Sequence, residues 1–302
     1  MKPKSENKIN ISKVMDLTTS YLFILPALVI FLLFGLYPFT QVFWLSVHNW
    51  DGIALSKVFV GLRNFIEIFS DGPWWNSMCH AAYIALLALI FQNALALILA
   101  LLVDKDIRGG NIFRVIFYLP PVLSGIVVGL IWGWIYDGNY GLLNHWLGFL
   151  GLEHLARAWL SDPKTSLTCI AVIHMWKGFG WGFVILLAGL QGIPRALYEA
   201  AEVDGAGMWQ KFVNVTIPMM IPVFVLVMIM TILGTMQIFD IIAATTNGGP
   251  GYATEVPVTR ILASMQGASR FGYACTQAVV FGVILLIVSL TQLRISKKMK
   301  QV

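Results

Sequence analysis

Two groups of residues in this 302-residue sequence have types and spacing that can do chemistry. The first lies inside long apolar runs: His174, Trp176, Lys177 and Trp181 in one, Gln237 and Asp240 near the end of the next, Gln92 and Asn93 in an earlier one. A charge left mid-span in a bilayer costs about 2.5–3.5 kcal/mol, so ionisable residues there usually face a cavity or a partner. Lys177 and Asp240 are therefore candidates for a polar path, with Trp176 and Trp181 able to stack on a ring and Gln237 able to hydrogen bond it. Each has a plainer alternative: Lys177 can snorkel to an interface, Asp240 can cap a helix end, and either Trp can pack in a core. The second group is the stretch EAAEVDGAGMWQKFVNVTIP, Glu199 to Pro218. It carries three carboxylates, two glycines and an apolar stripe of Trp209, Phe212 and Val213 at i, i+3 and i+4, one helical face. That is the chemistry of recognition rather than catalysis.

The chemistry that is missing points the same way. No G-x-x-x-x-G-K-[ST] phosphate loop occurs, so the chain is not expected to bind or hydrolyse ATP, and no catalytic residue, cofactor or metal site is expected. Cys79, Cys169 and Cys275 are odd in number and unpaired in spacing, which suits plain thiols rather than a disulfide framework or a metal site.

The elements that position these residues must sit in lipid. The chain is 58% hydrophobic and 12% charged, against about 45–50% and about 25% for soluble domains. Spans need about 20 apolar residues. Six runs qualify, near 21–46, 79–103, 115–136, 166–191, 217–242 and 274–294, giving an all-α polytopic fold. The boundaries expected are a cytoplasmic tail 1–20, a six-span domain 21–294 and a cytoplasmic tail 295–302. The first run is too long for a signal-peptide core and no cleavage pattern follows it. With the N-terminus inside, thirteen Lys and Arg fall on inner segments and six on outer loops, which places both termini in the cytoplasm of a plasma membrane. That asymmetry accounts for most of the net charge of +5 without nucleic acid. Prolines 26, 38, 120, 121, 218 and 222 should kink the spans, and Trp50, Trp74, Trp75, Trp146 and Trp159 suit an outer interfacial belt or contact with a binding protein.

This topology puts residues 192–216 on the cytoplasmic side. Pro194 suits a first helical position, Arg195 to Val203 favours helix, the Asp204-Gly205-Ala206-Gly207 cluster stops it, and a second short helix starts near Met208. Helices this short are marginal alone and need something to pack on. One reading is a loop at the lipid headgroups, with Arg195 and Glu199 as a solvated pair. Against it, interfacial helices are usually rich in bases on the polar face, so a protein partner fits better.

Glu199-Ala200-Ala201-x-x-Asp204-Gly205-Ala206, followed by Phe212 and Ile217-Pro218, resembles the EAA signature of membrane subunits of binding-protein-dependent ABC importers. Other stretches resemble the carbohydrate branch of that family: Gly61-Leu62-x-Asn64-Phe65, Leu119-Pro120-Pro121 with Trp132, Gly141 with Asn144, Phe239-Asp240, Asn247-Gly248-Gly249-Pro250 and Phe271-Gly272-Tyr273-Ala274. Thr216-Ile217-Pro218 departs slightly, since the family often has Leu before this Pro. The resemblance covers roughly residues 15 to 295. It implies the type I ABC importer permease fold and a carbohydrate permease that is not itself an enzyme, forming a heterodimer with a second homologous permease subunit. It also implies two copies of a cytoplasmic ATP-binding subunit and an extracytoplasmic sugar-binding protein as partners. Glu199, Ala200, Ala201, Asp204, Gly205, Ala206, Trp209 and Phe212 would then couple to the ATPase subunit. The rival reading is an ion-gradient-driven secondary transporter or channel, which usually shows internal repeats and carboxylate relays that this sequence lacks.

Overall fold

The computed structural model describes residues 11–104 and 109–299, with side chains over 21–104 and 109–295. Lys2, Lys4, Lys8, Lys105, Arg108 and Lys300, and with them residues 1–10 and 300–302 of the expected tails, lie outside the described residues. The described chain is helical apart from loops and one two-residue antiparallel ladder, His48–Asn49 against Val58–Phe59. Five helices are long and apolar enough to cross a membrane: Tyr21–Ser46, Gly72–Asp104, Ser166–Gln191, Met208–Thr245 and Phe271–Ile295. A sixth crossing exists if the bent pair Gly110–Val122 and Gly125–Ile135 counts as one.

That pair corrects the expectation of a continuous span over 115–136. Its two halves meet at 95°. Pro120 and Pro121 occupy the last turn of the first half, and Leu123 and Ser124 are extended, with ψ of 141° and 137°. Proline supplies no amide donor and clashes with the preceding turn, and a broken helix is tolerated at membrane depth where protein covers the backbone. Here the cover is the fourth span. A Cβ on Gly180 would lie 2.5 Å from the Phe117 carbonyl and 2.7 Å from Pro121 Cγ, so the bend seats against a position that only hydrogen fills. The second half, Gly125–Ile135, packs on the short helix Asp240–Thr245. There the site for a Cβ on Gly129 lies 2.7 Å from Ala244 Cβ.

Other boundaries differ from the sequence reading too: the fifth span, expected from 217, runs from Met208 to Thr245, so Trp209 and Phe212 lie on the span's own helix rather than on a separate short one. The first described residues, from Ile11, are already helical and run without a break into the first span. The second span starts at Gly72, not 79: Asp71 caps it by accepting from the Trp74 amide at 3.0 Å, and Pro73 sits in the first turn. Both are ordinary helix-start signals.

Ser166–Gln191 is the hub of the bundle, with half of its apolar window buried. Lipid tails are as apolar as leucine, so close packing of small residues rather than water exclusion holds helices together here. Gly182 places its Cβ site 3.2 Å from Ala96, and Gly189 brings Val223 and Met220 within 2.9–3.0 Å. Ala96, Ala100, Phe183, Leu186 and Met220 fill this half of the core, while Ile68, Trp74, Ile84, Ile170, Ile173 and Ile241 fill the other. The first span stands apart: its residues 21–40 are exposed, and only Tyr37–Ser46 packs on the last span.

Several loop residues that carried the family resemblance act as staples. Asn64 Nδ2 donates to the carbonyls of Ser46 at 3.0 Å and His48 at 3.1 Å. Asn144 donates to the Gly138 and Arg157 carbonyls and accepts from Trp159 Nε1 at 2.8 Å. The Cβ site of Gly272 lies 1.9 Å from the His48 carbonyl, so only glycine allows that approach. Trp74 corrects the expected belt: it is fully buried. Trp159 is half-buried on the core, and Trp50 holds Lys57 Nζ at 4.6 Å from its ring.

Candidate functional site: an exposed elbow and a polar cavity

Between the fourth and fifth spans the chain forms an elbow. Helix Arg195–Val203 begins after Pro194, which serves as its N-cap rather than its first residue. It ends in a Schellman arrangement, the Ala206 amide donating to Ala201 O at 2.8 Å and the Gly205 amide to Glu202 O at 3.0 Å. Gly205 has φ of +78°, the left-handed conformation this ending requires. The Gly207 amide then donates to Gln210 Oε1 at 2.8 Å, which caps the next turn, Met208–Lys211.

The ion pair of the elbow is Glu202 with Lys211 at 2.5 Å; Arg195 with Glu199 is not among the ion pairs of the described residues. Lys211 hydrogen bonds Glu202 and lowers its pKa below the ordinary value. Glu199 is exposed, and so are Val203, Met208 and Trp209, at 89%, 79% and 73%. Trp209 stacks on Phe212 with ring centroids 5.6 Å apart. The elbow is anchored by the Tyr198 hydroxyl, 2.9 Å from Thr216 Oγ1. One side therefore holds the bundle, and the other shows acids and large apolar groups to the surroundings.

Within the bundle, a cavity of about 430 Å³ opens between the second, fourth and fifth spans. Four of the five predicted path residues line it: Lys177, Trp181, Gln237 and Asp240. Trp176 does not. It packs in the core against Trp132, centroids 5.7 Å apart. Asp240 abuts the start of the half-helix Gly125–Ile135, where a Cβ on Gly125 would fall 1.5 Å from Asp240 Oδ2. A carboxylate beside a helix N-terminus is favoured by the helix dipole. His174 joins the cavity wall, its Nε2 2.9 Å from Thr235 Oγ1.

Sequence reasoning missed Thr231 and Thr235. Thr231 Oγ1 donates to Asn93 Oδ1 at 3.0 Å, and Thr235 Oγ1 to Thr231 O at 2.7 Å. Their signal was the four-residue spacing, which puts both on one face of the fifth span. A larger groove of about 1510 Å³ lies elsewhere, lined by Leu130, Trp134, Tyr140, Asn144 and Phe149 among others. It is more open and mostly apolar, and Asp137 is the one acid or base on its wall besides His145. The smaller cavity holds the intramembrane charges and is the better candidate for a polar solute.

Residues 92–301 match the family model described as binding-protein-dependent transport system inner membrane component. The chain is 36% identical to the probable ABC transporter permease protein YurN of Bacillus subtilis, over 93% of this chain and 97% of that protein. It is 30% identical to the trehalose/maltose transport system permease protein MalF of Thermococcus litoralis, over 94% and 96%. It is 31% identical to the sn-glycerol-3-phosphate transport system permease protein UgpA of Pectobacterium atrosepticum, over 90% of each. Among solved structures, a chain of a bacterial ABC transporter involved in import of the acidic polysaccharide alginate superposes with a TM-score of 0.82. At 22% identity, covering 95% of this chain and 98% of that one, this likeness bears on the fold.

Proposed function

The chain belongs to the family of binding-protein-dependent transport system inner membrane components, and from that premise we propose that it is the sugar-translocating permease subunit of an ABC importer. It would carry a sugar or oligosaccharide into the cytoplasm with energy from ATP hydrolysed on another chain. The observation that carries the coupling half of this reading is the elbow. A glycine-bent helix pair is held to the bundle on one side by Tyr198 and presents Glu199, Val203, Met208 and Trp209 on the other. Exposed large apolar side chains rimmed by acids suit a protein groove with basic walls.

Residues 192–216 then form a coupling loop in the cytoplasm, and both termini lie on that side, in keeping with thirteen bases against six. The partners in this reading are a second homologous permease, two ATP-binding subunits and an extracytoplasmic sugar-binding protein. Relatives named for trehalose/maltose transport support the sugar assignment, and one named for sn-glycerol-3-phosphate keeps polyol phosphates within range. The cavity with Lys177, Trp181, Gln237 and Asp240 is the proposed path.

Coupling requires that the loop fit two states of the ATPase subunit differently, since equal affinity shifts no population. Glu199→Lys reverses a charge on the docking face without touching the bundle. It should reduce co-purification of the ATPase subunit and ATP-driven sugar uptake together. Normal values of both would end the coupling assignment.

A further inference from the structure

We propose that Gln92 is a substrate-binding residue of the cavity, one that reads a sugar hydroxyl; the inference rests on the permease reading above. Span two departs from α geometry over one π-helical turn, Ala88–Gln92, and resumes at Asn93. Such turns give up helix regularity and are frequent at functional sites. The turn ends on Gln92, which lines the cavity shared with Lys177, Trp181 and Asp240. Gln92 is 6% exposed, and its buried Oε1 has no hydrogen-bond partner among the described residues. A buried amide oxygen without a partner is costly, more so away from water.

The fourth span makes room for this amide. At Gly178 a Cβ would lie 2.6 Å from Gln92 Oε1, 2.8 Å from Cδ and 2.9 Å from Nε2, so the amide rests flat on bare backbone. Neighbouring Asn93 differs: it accepts from Thr231, although its Nδ2 is likewise unbonded, and it does not line the cavity. A neutral amide offers one donor group and one acceptor, which matches a hydroxyl, itself both donor and acceptor. An anionic substrate group would be met instead by Lys177. The volume of about 430 Å³ falls within the range of small-molecule sites, about 300–1,000 Å³.

The test uses the assembled transporter in proteoliposomes, with its partner permease, ATPase subunits and binding protein. The probes are maltose, trehalose and the monodeoxy analogues of each. At saturating sugar the binding protein is full, so a remaining preference for parent over analogue belongs to the membrane path. The wild type should prefer its sugar over one analogue by about 3- to 10-fold in ATP-driven uptake, the worth of one hydrogen bond. Gln92→Leu should bring that ratio to about 1. Gly178→Ala, which displaces the amide, should do the same and serves if Gln92→Leu does not assemble. A variant that assembles and keeps the wild-type ratio, whatever its overall rate, overturns the assignment of Gln92 and leaves the permease reading standing. A wild type that takes up neither of these sugars, nor any other mono- or oligosaccharide offered, with ATP overturns the sugar reading and this inference with it.

Discussion

At Gly205 the backbone turns left-handed with open space around it: nothing lies within 4 Å of its Cβ site. The cost of a larger residue there is thus conformational, about 1–2 kcal/mol for the left-handed geometry. Gly205→Val should open the Schellman ending and misdirect Met208 and Trp209. Uptake by the assembled transporter should fall about 5- to 30-fold at that cost, while the bundle's thermal midpoint changes little. Wild-type uptake would show that the bend does not aim the docking face. Glu255 is the other informative residue. It is buried, and its pKa is raised by burial, with Arg260, 3.5 Å away, offsetting only part of that. A raised pKa means the folded protein favours the protonated form. Its stabilising contribution is complete below the ordinary carboxylate value, about 4.3, and is lost as pH rises through the folded value. The thermal midpoint of the wild type should therefore fall relative to Glu255→Gln as pH rises from about 4.3 through the folded value. A wild type that gains on the variant over that interval would contradict the assignment. Gly205 was legible from the Asp204-Gly205-Ala206-Gly207 cluster, because turn chemistry is local. The Glu202–Lys211 pair was not, because it forms only when the bend folds nine residues back on themselves.

At the scale of elements, the bent third span decides where the cavity can be. Its second half reaches the fifth span only because Gly125 and Gly129 let the two backbones close up around Asp240 and Ala244. Gly125→Ala would put a methyl group 1.5 Å from Asp240 Oδ2, and overpacking of that kind costs about 1–3 kcal/mol. Gly133→Ala, in the same half-helix with nothing within 4 Å, should be neutral or stabilise by up to about 1 kcal/mol. Thermal unfolding of the two purified variants separates close packing from helix propensity; equal midpoints would show that the Gly125 contact carries no weight. The paired prolines announced a kink in the sequence. They did not announce 95°, since the angle is set by Gly180 and Gly125 meeting partners distant in the chain. Trp74 was misjudged for a related reason: at a span's edge, an interfacial ring and a core ring have the same local pattern.

At the scale of the whole molecule, hydrophobic runs revealed five spans and the bent sixth, because lipid imposes length and apolarity on sequence directly, and charge asymmetry supplies the orientation proposed above. The cavity was partly legible. Lys177 and Asp240 stand out as charges in grease, whereas the exclusion of Trp176 and the seat of Gln92 on Gly178 depend on how helices face one another. The elbow shows acids and large apolar groups on its outer side, and Lys177 and Asp240 line a cavity rather than forming a relay. Both fit a subunit that moves a solute while another chain supplies the work. The most direct test is sugar uptake into proteoliposomes by this chain alone, with an ion gradient, and by the complex assembled with ATPase subunits, with ATP. The account predicts no accumulation by the chain alone, accumulation by the complex only with ATP, and loss of the latter in Glu199→Lys. Accumulation by the isolated chain on an ion gradient would contradict it.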